Sequence, residues 1–228
     1  MTAPQATPLV RLDEAGFRYA GDVHAVLSGL SFGIAPGEIV ALAGPPGSGT
    51  STLLLVLGGY APRLVGGTLS GVRDLNARRP AIVFATPWTQ LTGLCGTVAS
   101  EIAFGPASHG RPRDAIRDNV ARQMARLQVS HLADRDPGTL SGGELQRVIV
   151  ASALALEPDL LLLDDPAAEL DPAAADSLYD LLRELAAGGA AVVVATPDTG
   201  RAARVASRVI VLDRGRVTGD GPATDLPA

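Results

Sequence analysis

Four short apolar runs restrict most strongly what this chain can fold into. Glu38–Ala43 (EIVALA), Ala81–Thr86 (AIVFAT), Leu160–Asp165 (LLLLDD) and Ala191–Thr196 (AVVVAT) are nearly continuous apolar stretches bounded by turn signals. A strand with one wet face alternates; a continuous run of this length suits a strand buried on both faces, as in a parallel sheet. Thr50 begins a helix after the first run, and Pro172–Ala187 and Thr199–Ala206 read as helices between or after the later ones. Strands alternating with helices predict a parallel α/β core. The N-terminal stretches LVRLDEAGFRYA and LSFGIAPG show shorter, strand-like alternation with Gly and Pro between them. Thr97–His131 differs: helix-rich and polar, it reads as a helical insertion. VIVLDRGRVTGDG closes the chain as a hairpin turning at Arg214-Gly215.

The first run enters a Gly-rich loop: Gly44, Pro45, Pro46, Gly47, Ser48, Gly49, Thr50, Ser51, Thr52. Strand, Gly-rich loop and helix is the setting of the phosphate loop G-x-x-x-x-G-K-S/T. Backbone N–H groups and a helix N-terminus there make an anion cradle. Ser51 holds the position whose hydroxyl would ligate Mg²⁺. The lysine position, however, is Thr50. All 19 basic residues are arginine, so no lysine of this chain can take its place. A hydrogen bond to a charged group contributes about 1.5–3 kcal/mol, so its loss weakens phosphate binding ~10–150-fold without abolishing it. Taken alone, the stretch fits a purely structural turn equally well.

LSGGELQR (Leu140–Arg147) is more specific. Ser141 with Glu144 three residues on is a capping box that starts a helix. It does not account for Gly142 and Gly143 in the first turn, where each costs about 1 kcal/mol relative to Ala. Glycines there make sense where something must come close to their backbone.

With these motifs in place the chain, from Phe17 to Gly221, resembles the ATP-binding cassette (ABC) ATPases. The resemblance implies a P-loop NTPase fold: a RecA-like parallel sheet core, an N-terminal antiparallel β subdomain and an inserted α-helical subdomain. It divides one domain, 1–228, into core with β subdomain (1–92), helical subdomain (93–157) and core again (158–228). In that family LSGGE is the signature, which crosses to a partner subunit and binds the γ-phosphate of the partner's ATP. Ser141, Gly142, Gly143 and Glu144 would take that role. LLLLDDP resembles the second acidic motif, with Asp164 at the Mg²⁺ position, and ELDP (Glu169–Pro172) resembles the D-loop, bringing Asp171 to the nucleotide. Tyr19 in FRYAG is similar to the aromatic that stacks on adenine, with a core tyrosine as the alternative. VFATPWTQLTGLCGTVASEIAFGP resembles the Gln-loop region of energy-coupling-factor and cobalt-type importer ATPases, through Gln90, Leu91, Thr97, Val98 and AFGP. The resemblance implies ATP and Mg²⁺ as ligands, a second ATPase and a polytopic membrane subunit as partners, and a peripheral place on the cytoplasmic face of the membrane.

Four positions depart from the family pattern. The phosphate-loop lysine is Thr50, the Gln-loop glutamine Ala85, the glutamate after the acidic strand Asp165, and the His-loop histidine Pro197. Asp165 retracts the carboxylate by a methylene, and ~1 Å of misplacement can cost ~100-fold. Pro197 has no N–H to donate, and one lost preorganised donor costs ~10²–10³ in rate. All four serve this chain's own nucleotide. The signature and D-loop, which serve the partner's, are intact. The pattern predicts a catalytically degenerate motor subunit that completes an active site on a second ATPase. A nucleotide-sensing scaffold on the same fold is the alternative from another class; a soluble translation-type factor fits less well, since those carry two cassettes with a charged linker.

Composition is compatible with this reading. A net charge of −5 argues against a broad nucleic-acid footprint. The single Cys95 fits a reducing compartment, and no apolar run reaches the ~18 residues of a membrane span. The N-terminal MTAPQATPLVRLDE lacks the pattern of a signal peptide. Mean hydropathy of +0.23 is high for a soluble chain and fits either a buried partner surface or simply an alanine-rich sequence. His24, His109 and His131 lack metal-ligand spacing, Cys95 reads as a packed thiol, and RPRDAIR as a solvated helix face.

Overall fold

The three middle strands of the larger sheet determine everything around them. In the computed structural model, which describes residues 7–225, the apolar runs form β3 (Ile39–Ala43), β5 (Pro80–Val83), β6 (Leu160–Asp164) and β7 (Ala191–Ala195). With β8 (Arg208–Asp213) and β9 (Arg216–Pro222) they make one six-stranded sheet in the order β5-β6-β7-β3-β8-β9. All pairings are parallel except the β8–β9 hairpin. A second sheet, antiparallel, has the order β2-β1-β4, from β1 (Val10–Tyr19), β2 (Leu27–Ile34) and β4 (Gly67–Leu75). Part of the N-terminal stretch on which the signal-peptide expectation rests, residues 1–6, lies outside the described residues.

The continuous apolar runs are explained by what lies on each face. Val40, Leu42, Leu160, Leu162 and Val193 pack with the antiparallel sheet and helix α1 (Thr50–Leu57). Their neighbours Ala41, Leu161, Leu163, Val192 and Val194 pack on the other side with α5 (Pro172–Ala187) and the helical segment. Successive residues of a strand point to opposite faces, so a strand covered on both has no place for a polar residue until it ends.

The helical segment comprises α2 (Val98–Ser108), α3 (Arg113–Arg126) and α4 (Gly142–Ala155); α6 (Thr199–Ala203) follows β7. Between α3 and α4 lies a buried amide pair that patterning did not reveal. Asn119 Nδ2 donates to the Ala155 carbonyl at 2.7 Å, and Gln123 Nε2 donates to Asn119 Oδ1 at 2.9 Å. The RPRDAIR face is solvated as expected, with Arg117 beside Asp114 and Asp118. No helix among the described residues is long and apolar enough to cross a membrane.

Two elements are shorter than the sequence suggests. The run Ala81–Thr86 leaves the sheet after Val83, because the Gln90 amide takes over: Oε1 accepts from Phe84 N at 2.7 Å and Nε2 donates to the Ile82 carbonyl at 3.0 Å. The helix expected over Thr199–Ala206 stops at Ala203, where capping bonds back to Ala202 and Arg201 end it. Cys95 is half-buried rather than packed inside.

Arg208 ties the two ends of the fold together. Its Nε and Nη2 grip Asp220 at 2.6 and 2.7 Å, while Nη1 reaches the Gly33 carbonyl at 2.9 Å and Glu38 at 3.2 Å. The fork thus joins β8 and β9 to the end of β2 and the entry to β3. A lysine ammonium cannot reproduce a bidentate fork. Arg208→Lys is expected to lose about 1–3 kcal/mol of stability, measured by urea denaturation; a midpoint equal to the parent's would show that the fork is dispensable.

Candidate functional site

Sheet order brings the candidate residues to one edge. β3, β7 and β6 are neighbours, with Leu42 and Asp164 both aligned with Ala195. The loops after their carboxyl ends therefore lie side by side: Gly44–Gly49 after β3, Asp165 after β6, Thr196 and Pro197 after β7. Ala85 follows β5 at the sheet's outer edge and is exposed. Open α/β sheets bind ligands outside the carboxyl ends of their strands.

The phosphate loop has the backbone its glycines permit. Gly47 and Gly49 have φ of +81° and +102°, a region that side chains beyond glycine rarely adopt. Gly49 is the N-cap of α1, and nothing lies within 4 Å of where a Gly47 side chain would project. Ser48 N donates to the Pro45 carbonyl at 2.9 Å, closing the turn. The Ser48 hydroxyl is buried and has no partner. An orphaned hydroxyl inside a loop of open N–H groups is a donor set suited to an anion, and a charged side chain is what it lacks.

Parity along β6 explains the next contact. Asp164 falls on the same side of the sheet as Leu160 and Leu162, the face covered by α1. Ser51, in the first turn of α1, therefore meets its carboxylate. Burial pushes the Asp164 carboxyl up, and hydrogen bonding to Ser51 draws it partly back down. Hydroxyl and carboxylate side by side are hard oxygen donors of the kind a magnesium ion takes.

Asp165 breaks from the strand with φ +43°, although its N–H still pairs with the Ala195 carbonyl at 2.7 Å. Its Oδ1 accepts from Thr196 Oγ1 at 3.2 Å. Burial again raises the carboxyl, opposed by the Thr196 bond and reinforced by Asp164 and Asp198. Pro197 is exposed, and Asp198 beyond it caps α6 and pairs with Arg201. Beneath them the Tyr179 hydroxyl is buried, and desolvation pushes it up to about 12. Tyr19 ends β1 with its ring edge-on to Phe17, centroids 4.9 Å apart. Its hydroxyl is 3.0 Å from Thr52 Oγ1, so Thr52 is engaged by the chain itself.

A second group of residues lies at the start of α4. The expected capping box is present: Ser141 N and Oγ donate to Glu144 Oε2 at 2.8 and 2.9 Å, and Glu144 N returns to Ser141 Oγ at 3.4 Å. Those donors hold the Glu144 carboxyl below its ordinary range, with Arg135 adding to the effect. A side chain on Gly143 would come within 2.8 Å of the Glu169 carbonyl, main chain that cannot turn aside, whereas one on Gly142 would meet only the end of the exposed Glu169 side chain, which can. Asp171 caps α5 by accepting from Ala174 N at 2.9 Å. Among the described residues no hydrogen bond or ion pair joins this group to the phosphate loop.

Sequence reasoning missed the buttress behind that loop. In the β8–β9 turn, Gly215 N donates to the Ser48 carbonyl at 2.8 Å, and the Gly215 carbonyl accepts from Ser28 N at 2.9 Å. A hairpin 167 positions downstream of Ser48 thus holds the loop in shape. Glu101, also missed, is a buried carboxylate that accepts from Thr92 N and Oγ1, both at 2.8 Å, and sets the segment before α2. His24, His109 and His131 are exposed, and no metal-holding cluster occurs among the described residues.

The family model described as "ABC transporter" matches residues 27–168. This chain belongs to the ABC transporter ATP-binding family. A cobalt import ATP-binding protein of Rhodobacter capsulatus is 38% identical over 226 residues, 95% of this chain and 80% of the relative. The solved structure of cbiO1 of Clostridium perfringens, part of the ABC transporter complex cbiONQ, superposes with a TM-score of 0.81 at 28% identity, covering 96% of this chain and 90% of that one. A dimeric ATP-binding cassette in a post-hydrolysis state, bound to ADP and phosphate, gives a TM-score of 0.83 at 27% identity, covering 94% and 98%. The fold is thus the P-loop ABC ATPase fold, with the antiparallel sheet and the helical segment in their expected places.

Two outcomes follow for the isolated chain. Gly215→Ala combines a φ of +73° with a clash against the Val26 carbonyl, and is expected to cost at least about 2 kcal/mol, read by thermal unfolding. Asp164→Asn removes a carboxylate that burial disfavours, and should raise the melting temperature at neutral pH without nucleotide. A lower melting temperature would mean that its bond to Ser51 outweighs its desolvation.

Proposed function

We propose that this chain is the catalytically degenerate ATP-binding subunit of an ABC importer of the energy-coupling-factor or cobalt type, supplying its signature to the active site of a second ATPase. The carrying observation is an asymmetry. Thr50, Ala85, Asp165 and Pro197 stand where the chain's own triphosphate chemistry needs Lys, Gln, Glu and His. The start of α4 keeps Ser141, Gly142 and Gly143 in a capped, preorganised geometry. The relatives named for cobalt and for nickel import support the class of transporter.

In this reading the chain works as one ABC domain, with 1–92 and 158–228 as core and 93–157 as the helical part. ATP lies along Gly44–Thr52, with Tyr19 at the base and Ser51 and Asp164 holding Mg²⁺. Bound Mg²⁺ supplies charge neutralisation for the phosphates. What this chain's residues do is bind and hold: loop N–H groups and Ser48 meet the phosphates, while Asp171 fixes the turn leading into α5.

Hydrolysis is where the residues fall short. Asp165 is tied to Thr196 and retracted, Ala85 carries no polar group, and Pro197 offers no donor. The chain's own site binds nucleotide weakly and leaves it intact. The partner's site is completed from here by Ser141 and the N–H groups of Gly142 and Gly143, at the positive end of the α4 dipole. Docking on a polytopic membrane subunit puts the chain peripherally on the cytoplasmic face.

The purified subunit is expected to show no ATPase activity above background; turnover abolished by Ser51→Ala would overturn the assignment. In the complex isolated with its partner, Ser141→Arg should abolish hydrolysis by the partner, whereas unchanged turnover would show the signature idle. Thr50→Lys should tighten ATP binding ~10–150-fold in a direct titration and leave turnover absent, because Ala85, Asp165 and Pro197 remain.

A further inference from the structure

The Gly-rich loop follows the carboxyl end of β3; at the opposite edge of the same sheet, the amino end of β5 borders a cavity of about 580 Å³. Small-molecule sites are roughly 300–1,000 Å³. Tyr60, Pro106 and Leu156 give the cavity an apolar floor, and the exposed Arg78, Arg79 and Arg111 stand at its rim. The Tyr60 hydroxyl donates to the Pro80 carbonyl at 3.0 Å, which fixes the ring. No carboxylate lines the cavity, although the chain as a whole carries a net charge of −5.

The rim is held from behind. Glu157 accepts from Arg111 Nη2 at 2.6 Å and from Arg79 Nη1 at 3.4 Å, and Arg122 Nη2 lies 3.7 Å from its other oxygen. Glu157 follows the C-cap of α4 with φ +52°, a conformation that glycine ordinarily supplies at this position. Glutamate there brings a carboxylate that glycine could not. Asp159 accepts from Arg78 N and Arg79 N at 2.8 and 2.9 Å and so fixes the backbone that carries two of the guanidinium groups. Four arginines thus share two carboxylates, and the Arg78 guanidinium has no partner among the described residues. The carbonyl ends of α2 and α4 also attract cations. Among the described residues, however, no arginine side chain of this cavity donates to a carbonyl of either helix; Arg79 and Arg111 turn to Glu157 instead.

We propose that this cavity binds a phosphate monoester carried on an apolar body, at a place separate from the Gly-rich loop. Guanidinium forks match phosphate oxygens bidentately and are weakly hydrated. Each has five N–H donors, so Arg79 and Arg111 keep donors to spare after bonding Glu157. A phosphate monoester carries a charge of roughly −1.5 to −2, which matches the two positive charges left over once Glu157 and Asp159 are counted against the four arginines. A single carboxylate would leave one of them unmet. The floor of Tyr60, Pro106 and Leu156 takes the body of the ligand, and Glu157 is a positioning residue for the cations above it. The site uses neither the Gly-rich loop nor the signature, so it stands whichever role the chain has in a transporter.

The test titrates the purified full chain with phenyl phosphate, with inorganic phosphate, and with vesicles containing phosphatidic acid, whose headgroup is the same monoester on a lipid. Phenyl phosphate is expected to bind more tightly than inorganic phosphate. Arg78→Gln and Arg111→Gln should each weaken it about tenfold, the low end of the ~10–150-fold that a hydrogen bond to a charged group supplies, because the rim is wet. Arg113→Gln, at an exposed position of α3 outside the cavity, and Ser51→Ala in the Gly-rich loop should leave the affinity unchanged. Binding of phenyl phosphate marks the ligand as soluble, whereas capture on the phosphatidic acid vesicles alone marks it as a headgroup; either supports the site if Arg78→Gln and Arg111→Gln both weaken it. No binding to either probe overturns the proposal, as does equal affinity for inorganic phosphate, which would leave the floor without a role. Loss in Ser51→Ala alone would put the probe on the Gly-rich loop. Equal weakening by Arg113→Gln, or equal capture on phosphatidylglycerol vesicles, would reduce the effect to diffuse charge; each of these outcomes also overturns the site.

Discussion

The rest of the structure depends on the parallel ladder of β6, β7 and β3. These strands are buried on both faces, pair in register, and end together. Because their side chains alternate between two apolar layers, polar residues can appear only at the last position. That is why Asp164, Thr196 and the Gly-rich loop are found at one edge, and why Asp164 meets Ser51 on the α1 side. The same burial raises the Asp164 and Asp165 carboxyls: the core that positions them also disfavours their charge.

Around the ladder, distant segments are recruited as supports. The C-terminal hairpin reaches the phosphate loop through Gly215, and Arg208 joins the same hairpin to β2 and β3. Glu101 and Gln90 set the segment between β5 and α2, where the backbone has left the sheet and needs side-chain partners for its N–H groups. The start of α4 is likewise approached from outside its helix, by the Glu169 main chain beside Gly143 and by Arg135 on Glu144. The Gly-rich loop and the start of α4 are thus set by different parts of one chain, and the stretch from Asp164 to Asp171 runs between them.

Much of this was legible beforehand, for physical reasons. The strands β3, β6 and β7 were readable because double-sided burial leaves an unbroken apolar run. The helix α5 was readable through Asp171 and Pro172 at its start, and the capping box at Ser141 and Glu144 because its bonds span three residues. Shorter elements misled where a side chain intervened: Gln90 ends β5 early, and α6 closes after five residues. Gly142 and Gly143 were readable as room for an outside group, but not the Glu169 carbonyl that also crowds Gly143.

By itself the sequence determined the parallel core, the loop and helix starts, and which side chains are present or missing at Thr50, Ala85, Asp165 and Pro197. These follow from local bonding and from patterning along the chain. Only the tertiary structure decided what faces what: Ser51 against Asp164, Tyr19 on Thr52, Gly215 behind Ser48, Glu169 over Gly142. Such contacts join residues far apart in the chain, and their geometry depends on strand order and register, which no short stretch of sequence encodes.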